Sequence, residues 1–74
     1  EMKVYPNPVS DKLTIENNSE AVTLTFADFN GKVVKQIENV NSKQTVSVGD
    51  LAEGAYTLTI ESKSGIVSKK IIKN

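Results

Sequence analysis

Tyr56, Leu58 and Ile60 alternate with Thr57, Thr59 and Glu61, and nowhere does the chain show the three-to-four-residue recurrence of apolar positions that a helix requires. A pleated strand puts such an apolar set on one face and its polar partners on the other, so this stretch predicts a half-buried strand. Gly54 stands just before it, where a residue without a Cβ can take φ > 0 and turn the chain out of the Asp50-Leu51-Ala52-Glu53 loop. Ser62-Lys63-Ser64-Gly65 then reads as a hairpin connection into a last strand. An even-length loop sets Val67 and Ile71 across from the Tyr56, Leu58 and Ile60 face. The same register turns Lys69 inward, which is tolerable only near an open edge where its ammonium reaches water.

The rest of the chain repeats the theme. Residues 2–5 predict a short strand with Met2 and Val4 on one face, stopped by Pro6-Asn7-Pro8, whose prolines remove two ladder donors and push Tyr5 and Asn7 toward extended conformations. Residues 12–16 place Leu13 and Ile15 inward. Asn17-Asn18-Ser19-Glu20 is a polar turn that also fits the N-glycosylation pattern, although a turn rich in Asn and Ser explains it more simply. Residues 21–28 predict a central strand with Val22, Leu24 and Phe26 inward. Asn30-Gly31 follows, a strong hairpin signal because both residues tolerate φ > 0. A two-residue loop pairs Phe29 with Lys32, Leu24 with Ile37 and Phe26 with Lys35, and buries Val33 and Ile37. A type I turn starting at Asp28, with Gly31 left-handed and a bulge, shifts the register and favours Val34. Sequence alone leaves both open. Residues 40–43 read as a polar link, residues 44–48 as a strand with Val46 and Val48 inward, and Leu51 as a loop residue that plugs one end of the core.

About seven short strands separated by turn signals predict an all-β fold, an Ig-like antiparallel β-sandwich, with a closed five-stranded barrel as the alternative. At 74 residues the chain is one domain, near the size that hides only about 60% of its unfolded surface, so its stability margin is thin. Lysine supplies all nine positive charges and balances nine carboxylates, which argues against a nucleic-acid surface. No apolar run approaches the roughly 20 residues of a membrane helix, and nothing has the form of a signal peptide. The opening Glu1-Met2 reads as a piece cut from something longer, with a processed N-terminus as the alternative.

Catalysis has little to work with. The chain holds no His and no Cys, so the usual general base, thiol nucleophile and zinc ligands are missing. Asp11, Glu16, Asp28, Asp50 and Glu53 sit in turns or at outward strand positions and read as solvated surface rather than a hydrolytic carboxylate pair. The Asp50 loop lacks calcium-ligand spacing and no glycine-rich phosphate cradle exists, so neither a metal nor a cofactor is expected. Taken singly, Pro6-Asn7-Pro8 is a stiff strand terminator, Gly54-Ala55-Tyr56 a turn glycine with a core aromatic whose hydroxyl reaches the surface, and Lys69, Lys70 and Lys73 protection of a terminal strand against sheet-to-sheet pairing.

In combination and in this order the same blocks resemble the C-terminal sorting domain of the type IX secretion system, in its type A form. The resemblance runs from Val4-Tyr5-Pro6-Asn7-Pro8-Val9-Ser10-Asp11, with Leu13 and Ile15, through Asp28-Phe29-Asn30-Gly31-Lys32-Val33-Val34 and Leu51 with Gly54-Ala55-Tyr56, to Lys69-Lys70-Ile71-Ile72. The extension Lys73-Asn74 departs from relatives that often end in an apolar residue. The resemblance implies residues 1–74 as one C-terminal sorting domain on a larger N-terminal cargo. The cargo passes through the periplasm and is recognised by the outer-membrane translocon and its shuttle protein. A surface sortase then removes the domain and leaves the cargo at the cell surface or secreted. Such a domain catalyses nothing. The residues expected to meet the secretion machinery are Pro6, Asn7, Pro8, Gly31, Gly54, Tyr56, Lys69, Lys70, Ile71 and Ile72. A partner is expected to add a strand to the terminal edge with Lys69 and Lys70 selecting charge, and deletion of residues 71–74 is expected to block export without unfolding the domain. The competing class is a cell-surface Ig-like or fibronectin-like module binding carbohydrate or another copy of itself. Two Tyr, two Phe and no Trp leave it few stacking platforms.

Overall fold

The computed structural model describes residues 2–16, 21–40 and 43–74. Seven strands run in chain order: β1 (Lys3–Tyr5), β2 (Lys12–Glu16), β3 (Val22–Ala27), β4 (Val33–Val40), β5 (Lys43–Ser47), β6 (Gly54–Ser62) and β7 (Gly65–Lys73). They form two antiparallel sheets, β1-β2-β5 and β4-β3-β6-β7. The predicted all-β sandwich is the observed fold. An immunoglobulin constant domain, with its strands lettered in chain order, groups ABED against CFG. Here the fourth strand has moved to the edge beside the third. The predicted turn at residues 17–20 and the middle of the predicted link at 40–43, Asn41 and Ser42, lie outside the described residues.

Alternation built the core. Leu13 and Ile15 from β2, Val22, Leu24 and Phe26 from β3, Val46 from β5, and Tyr56, Leu58 and Ile60 from β6 are all buried between the sheets, with Met2, Val4, Ile37 and Leu51 packed against them. β3 is central, as its pattern predicted, with β4 on one side and β6 on the other. In the last hairpin Ser62 pairs Gly65, Ile60 pairs Val67, Leu58 pairs Lys69 and Tyr56 pairs Ile71, the register expected for an even loop. Lys69 therefore faces inward and is half-buried at the sheet margin.

The β3–β4 hairpin takes its turn from one predicted alternative and its pairing from the other. The Gly31 N–H donates to the Asp28 carbonyl at 2.9 Å, Gly31 has φ 86°, and the Asp28 carboxylate accepts from the Asn30 and Lys32 N–H groups at 2.9 Å each. That is the turn starting at Asp28 with a left-handed glycine. A register shift between Phe26 and Ala27 then absorbs one residue of β4, so Phe26 pairs Lys35 and Leu24 pairs Ile37 as a two-residue loop predicts. The bulge sends Val33 to the outer face opposite Ala27. Val33 is 55% exposed and Val34 38%, so the expected burial of either one is corrected.

Two core residues were hidden from alternation. Val40, read as the start of a polar link, is fully buried opposite Val22 because β4 bulges near Asn39, whose φ of 60° re-aims the residue after it. Val9, between the prolines and β2, is also buried. Ile71 is buried against Tyr56, so deleting residues 71–74 removes part of the core, and the expectation that such a deletion leaves the fold intact is corrected.

Candidate recognition surface

β1, β3, β5 and β7 run toward one end of the sandwich, and the turns there bring distant parts of the sequence together. β7 is an edge strand of the four-stranded sheet. Its inner side pairs with β6 along the whole length, Gly54 opposite Lys73 and Thr57 opposite Lys70. On its outer side, residues 6–9 lie against its last turn of chain. The Asn7 carboxamide donates to the Lys70 carbonyl at 2.9 Å and accepts from the Ile72 N–H at 2.9 Å, so this side chain takes the place of a peptide unit in a neighbouring strand. Val9 continues the strap as a parallel bridge to Lys73: its N–H donates to the Ile72 carbonyl at 2.8 Å and its carbonyl accepts from the Asn74 N–H at 2.8 Å. Pro6 and Pro8 flank Asn7, and both of their peptide bonds are cis.

The strap works because prolines cannot act as ladder donors. Pro6 and Pro8 supply no N–H, and the Asn7 side-chain amide, which carries donor and acceptor together, makes the two bonds that a ladder peptide would make. Residues read as a strand terminator thus close part of a different strand's edge. Pro6, Asn7 and Pro8 consequently sit with residues 70–74, at the end of the sandwich away from where β1 begins.

Gly54 and Tyr56 enter the same end from β6. Gly54 has φ 149°, inside the region that a side chain disfavours, and no atom lies within 4 Å of where its Cβ would be. The Tyr56 hydroxyl donates to the Ala52 carbonyl at 2.6 Å, fastening the loop to the strand that follows it, which is the tyrosine corner familiar in Ig-like sandwiches. Leu51, plugging the core as expected, donates its N–H to the Val48 carbonyl at 3.0 Å. Gly31 lies in the neighbouring turn beyond β3, apart from β7. Phe29 of that turn is 89% exposed and borders a shallow depression whose other wall is Thr57, Ser68 and Lys70.

The charges divide clearly. Lys35 pairs with Asp50 at 3.3 Å and Lys43 with Glu16 at 3.9 Å; Lys69 and Lys70, like Lys3, Lys12, Lys32 and Lys63, have no ionic partner among the described residues, but they alone stand side by side on an edge strand. Lys73, buried at 9% exposure on the same face of β7 as Ile71, donates from Nζ to the Asn74 carbonyl oxygen at 2.9 Å. Sequence reasoning missed Val9, Lys73 and the task of Asn7. The one available signal was an Asn fixed between two prolines, a residue whose amide imitates a peptide group. On the opposite sheet the Tyr5 hydroxyl donates to the Glu16 carboxylate, which favours the neutral phenol and raises its pKa above the usual 10.0; burial and the Glu16 charge act in the same direction.

The comparisons agree with the resemblance. The family described as secretion system C-terminal sorting domain matches residues 3–74. A similar solved structure is that of PorZ, an essential bacterial surface component of the type IX secretion system of Porphyromonas gingivalis: TM-score 0.76, 20% identity, covering 99% of this chain. The chain spans 11% of that protein's length, and at this identity the likeness is one of fold. No curated protein matches the chain. A family match over residues 3–74 leaves only the first two residues outside it, and the chain belongs to the family of type IX secretion C-terminal sorting domains.

Proposed function

We propose that residues 1–74 are the single C-terminal address of a larger exported protein, a non-catalytic domain that is read rather than one that reacts. Family membership supports a sorting role with export toward the cell surface or secretion as its outcome, and a non-enzymatic role with it. In the finer reading the cargo precedes the sandwich in the same chain and reaches the periplasm. The domain meets the outer-membrane translocon and its shuttle protein there, and a surface sortase cuts it away. Pro6, Asn7, Pro8, Gly54, Tyr56, Lys69, Lys70, Ile71 and Ile72 form or shape the contact surface, and Gly31 holds the adjoining turn.

The observation that carries this reading is the meeting of the proline strap, the tyrosine corner and the last strand at one end of the molecule, through Asn7 to Lys70 and Ile72 and through Tyr56 opposite Ile71. Blocks far apart in sequence meet at one end of the fold, with Tyr56 and Ile71 buried beneath the exposed Lys70 and Ile72, and this supports their being read together. The test is a periplasmic reporter carrying residues 1–74 at its C-terminus in a strain with a working type IX system. Reporter outside the cell, lost when the translocon is absent, is expected; reporter held in the periplasm beneath a folded tail contradicts the reading.

A further inference from the structure

The outer side of β7 is divided. Lys70 and Ile72 direct main-chain groups outward to the strap, and because a strand turns alternate residues to opposite neighbours, Ile66 and Ser68 direct theirs outward too. Among the described residues nothing meets the N–H and C=O of Ile66 and Ser68 or the N–H of Lys70. The other margins are less inviting. β4 carries two register irregularities, β1 is three residues long and ends at a proline, and β5 is five residues long. β7 has nine residues in unbroken register, and its first half leaves a regular open edge as long as the whole of β5, with two adjacent lysines where β5 has one.

We propose that residues 66–70 are a docking edge for a short extended acidic segment of a partner protein, with Asn7 setting where the added strand must stop; the proposal rests on the sorting-domain reading for the identity of that partner. The open groups span about 14 Å, room for roughly five residues of an added strand. Lys69 and Lys70 have no internal carboxylate, so a carboxylate on the incoming strand completes their charge on either face of the sheet. Ile66, 64% exposed, and Val67, 44% exposed, give the same strand apolar neighbours. Past Lys70 the carbonyl is taken by Asn7, and the added strand has no further acceptor. Strand addition is therefore confined to the first half of the last strand, while its final residues, held by the strap, shape the surface beside it.

Proline placement tests this without breaking the sandwich. The Ser68 N–H faces outward, so Ser68→Pro removes a docking donor and spares the β6 ladder, whereas the Val67 N–H faces β6 and Val67→Pro breaks it. Reporter fusions with the unmodified tail, Ser68→Pro, and Lys69→Glu with Lys70→Glu are compared for export, beside thermal melts of each chain. The proposal expects Ser68→Pro to melt near the unmodified chain yet export no more reporter than a tailless control, with the charge-reversed pair also failing. Undiminished export of Ser68→Pro overturns it, as does undiminished export of the charge-reversed tail should Ser68→Pro not fold. If the unmodified tail is not exported, the sorting reading itself fails. Concentration-dependent dimerisation of the unmodified chain that Ser68→Pro abolishes assigns the edge to a second copy and overturns the acidic partner.

Discussion

At the scale of single residues, Asn7 and Gly54 make opposite cases. The turn at Gly54 was readable because its cause is local: a glycine between a polar loop and an alternating strand, with φ 149° as the outcome. Gly54→Val meets open space, so its cost is conformational, on the order of 1–3 kcal/mol, and a thermal melt checks it. Asn7 was readable only as a terminator, because its partners stand 63 and 65 residues away. Asn7→Ala strands the Ile72 N–H and the Lys70 carbonyl at a partly wet edge. A loss of about 1–2 kcal/mol is expected, seen as a melting temperature lowered by roughly 4–8 °C for each kcal/mol. Tyr56→Phe removes one hydrogen bond, to the Ala52 carbonyl, and should cost about 0.5–1.5 kcal/mol in the same assay. Tyr5 gives a pH test. Its phenol is held neutral in the fold, so the stabilisation is complete below the unfolded pKa and is lost as pH rises through the higher folded one. In a Tyr56→Phe chain, ultraviolet titration should find the Tyr5 midpoint above 10.0, and Glu16→Gln should lower it.

At the scale of elements, alternation identified β2, β3, β5 and β6 because their side chains obey a period of two on a half-buried face. It failed where a bulge breaks that period. Val33 lost its expected burial and Val40 gained an unexpected one for the same reason: the extra residues in β4 each reverse which face follows. The Asp28 turn could not be ranked from sequence because its decisive bonds, two N–H groups to one carboxylate, are equally compatible with the letters of either loop. β7 shows a different limit. Its terminal lysines suggested a strand end in solvent, yet Lys73 is buried on the same face as Ile71, whose place opposite Tyr56 the register did predict. Truncation before Ile71 should therefore cost at least the roughly 2–5 kcal/mol of a large-to-small core change and should also free Val9. Loss of export by that truncated tail would then report unfolding as much as lost recognition, and a melt of the truncated chain beside the full one separates the two.

At the scale of the whole molecule, a sandwich of 74 residues with balanced charge has little core to spare, so contacts at its margins carry more of its stability than in a larger domain. The strap is such a contact. It joins the connection after β1 to the end of β7, strands that belong to different sheets, and so ties the two layers at one end. The same contact decides what a partner finds: a closed edge over residues 70–74 and an open one over 66–70. Amide hydrogen exchange along β7 of the folded chain measures that division directly. Slow exchange at Ile72 and Asn74 with fast exchange at Ile66, Ser68 and Lys70 is the predicted pattern. Fast exchange at Ile72, or equal protection along the whole outer edge, contradicts it.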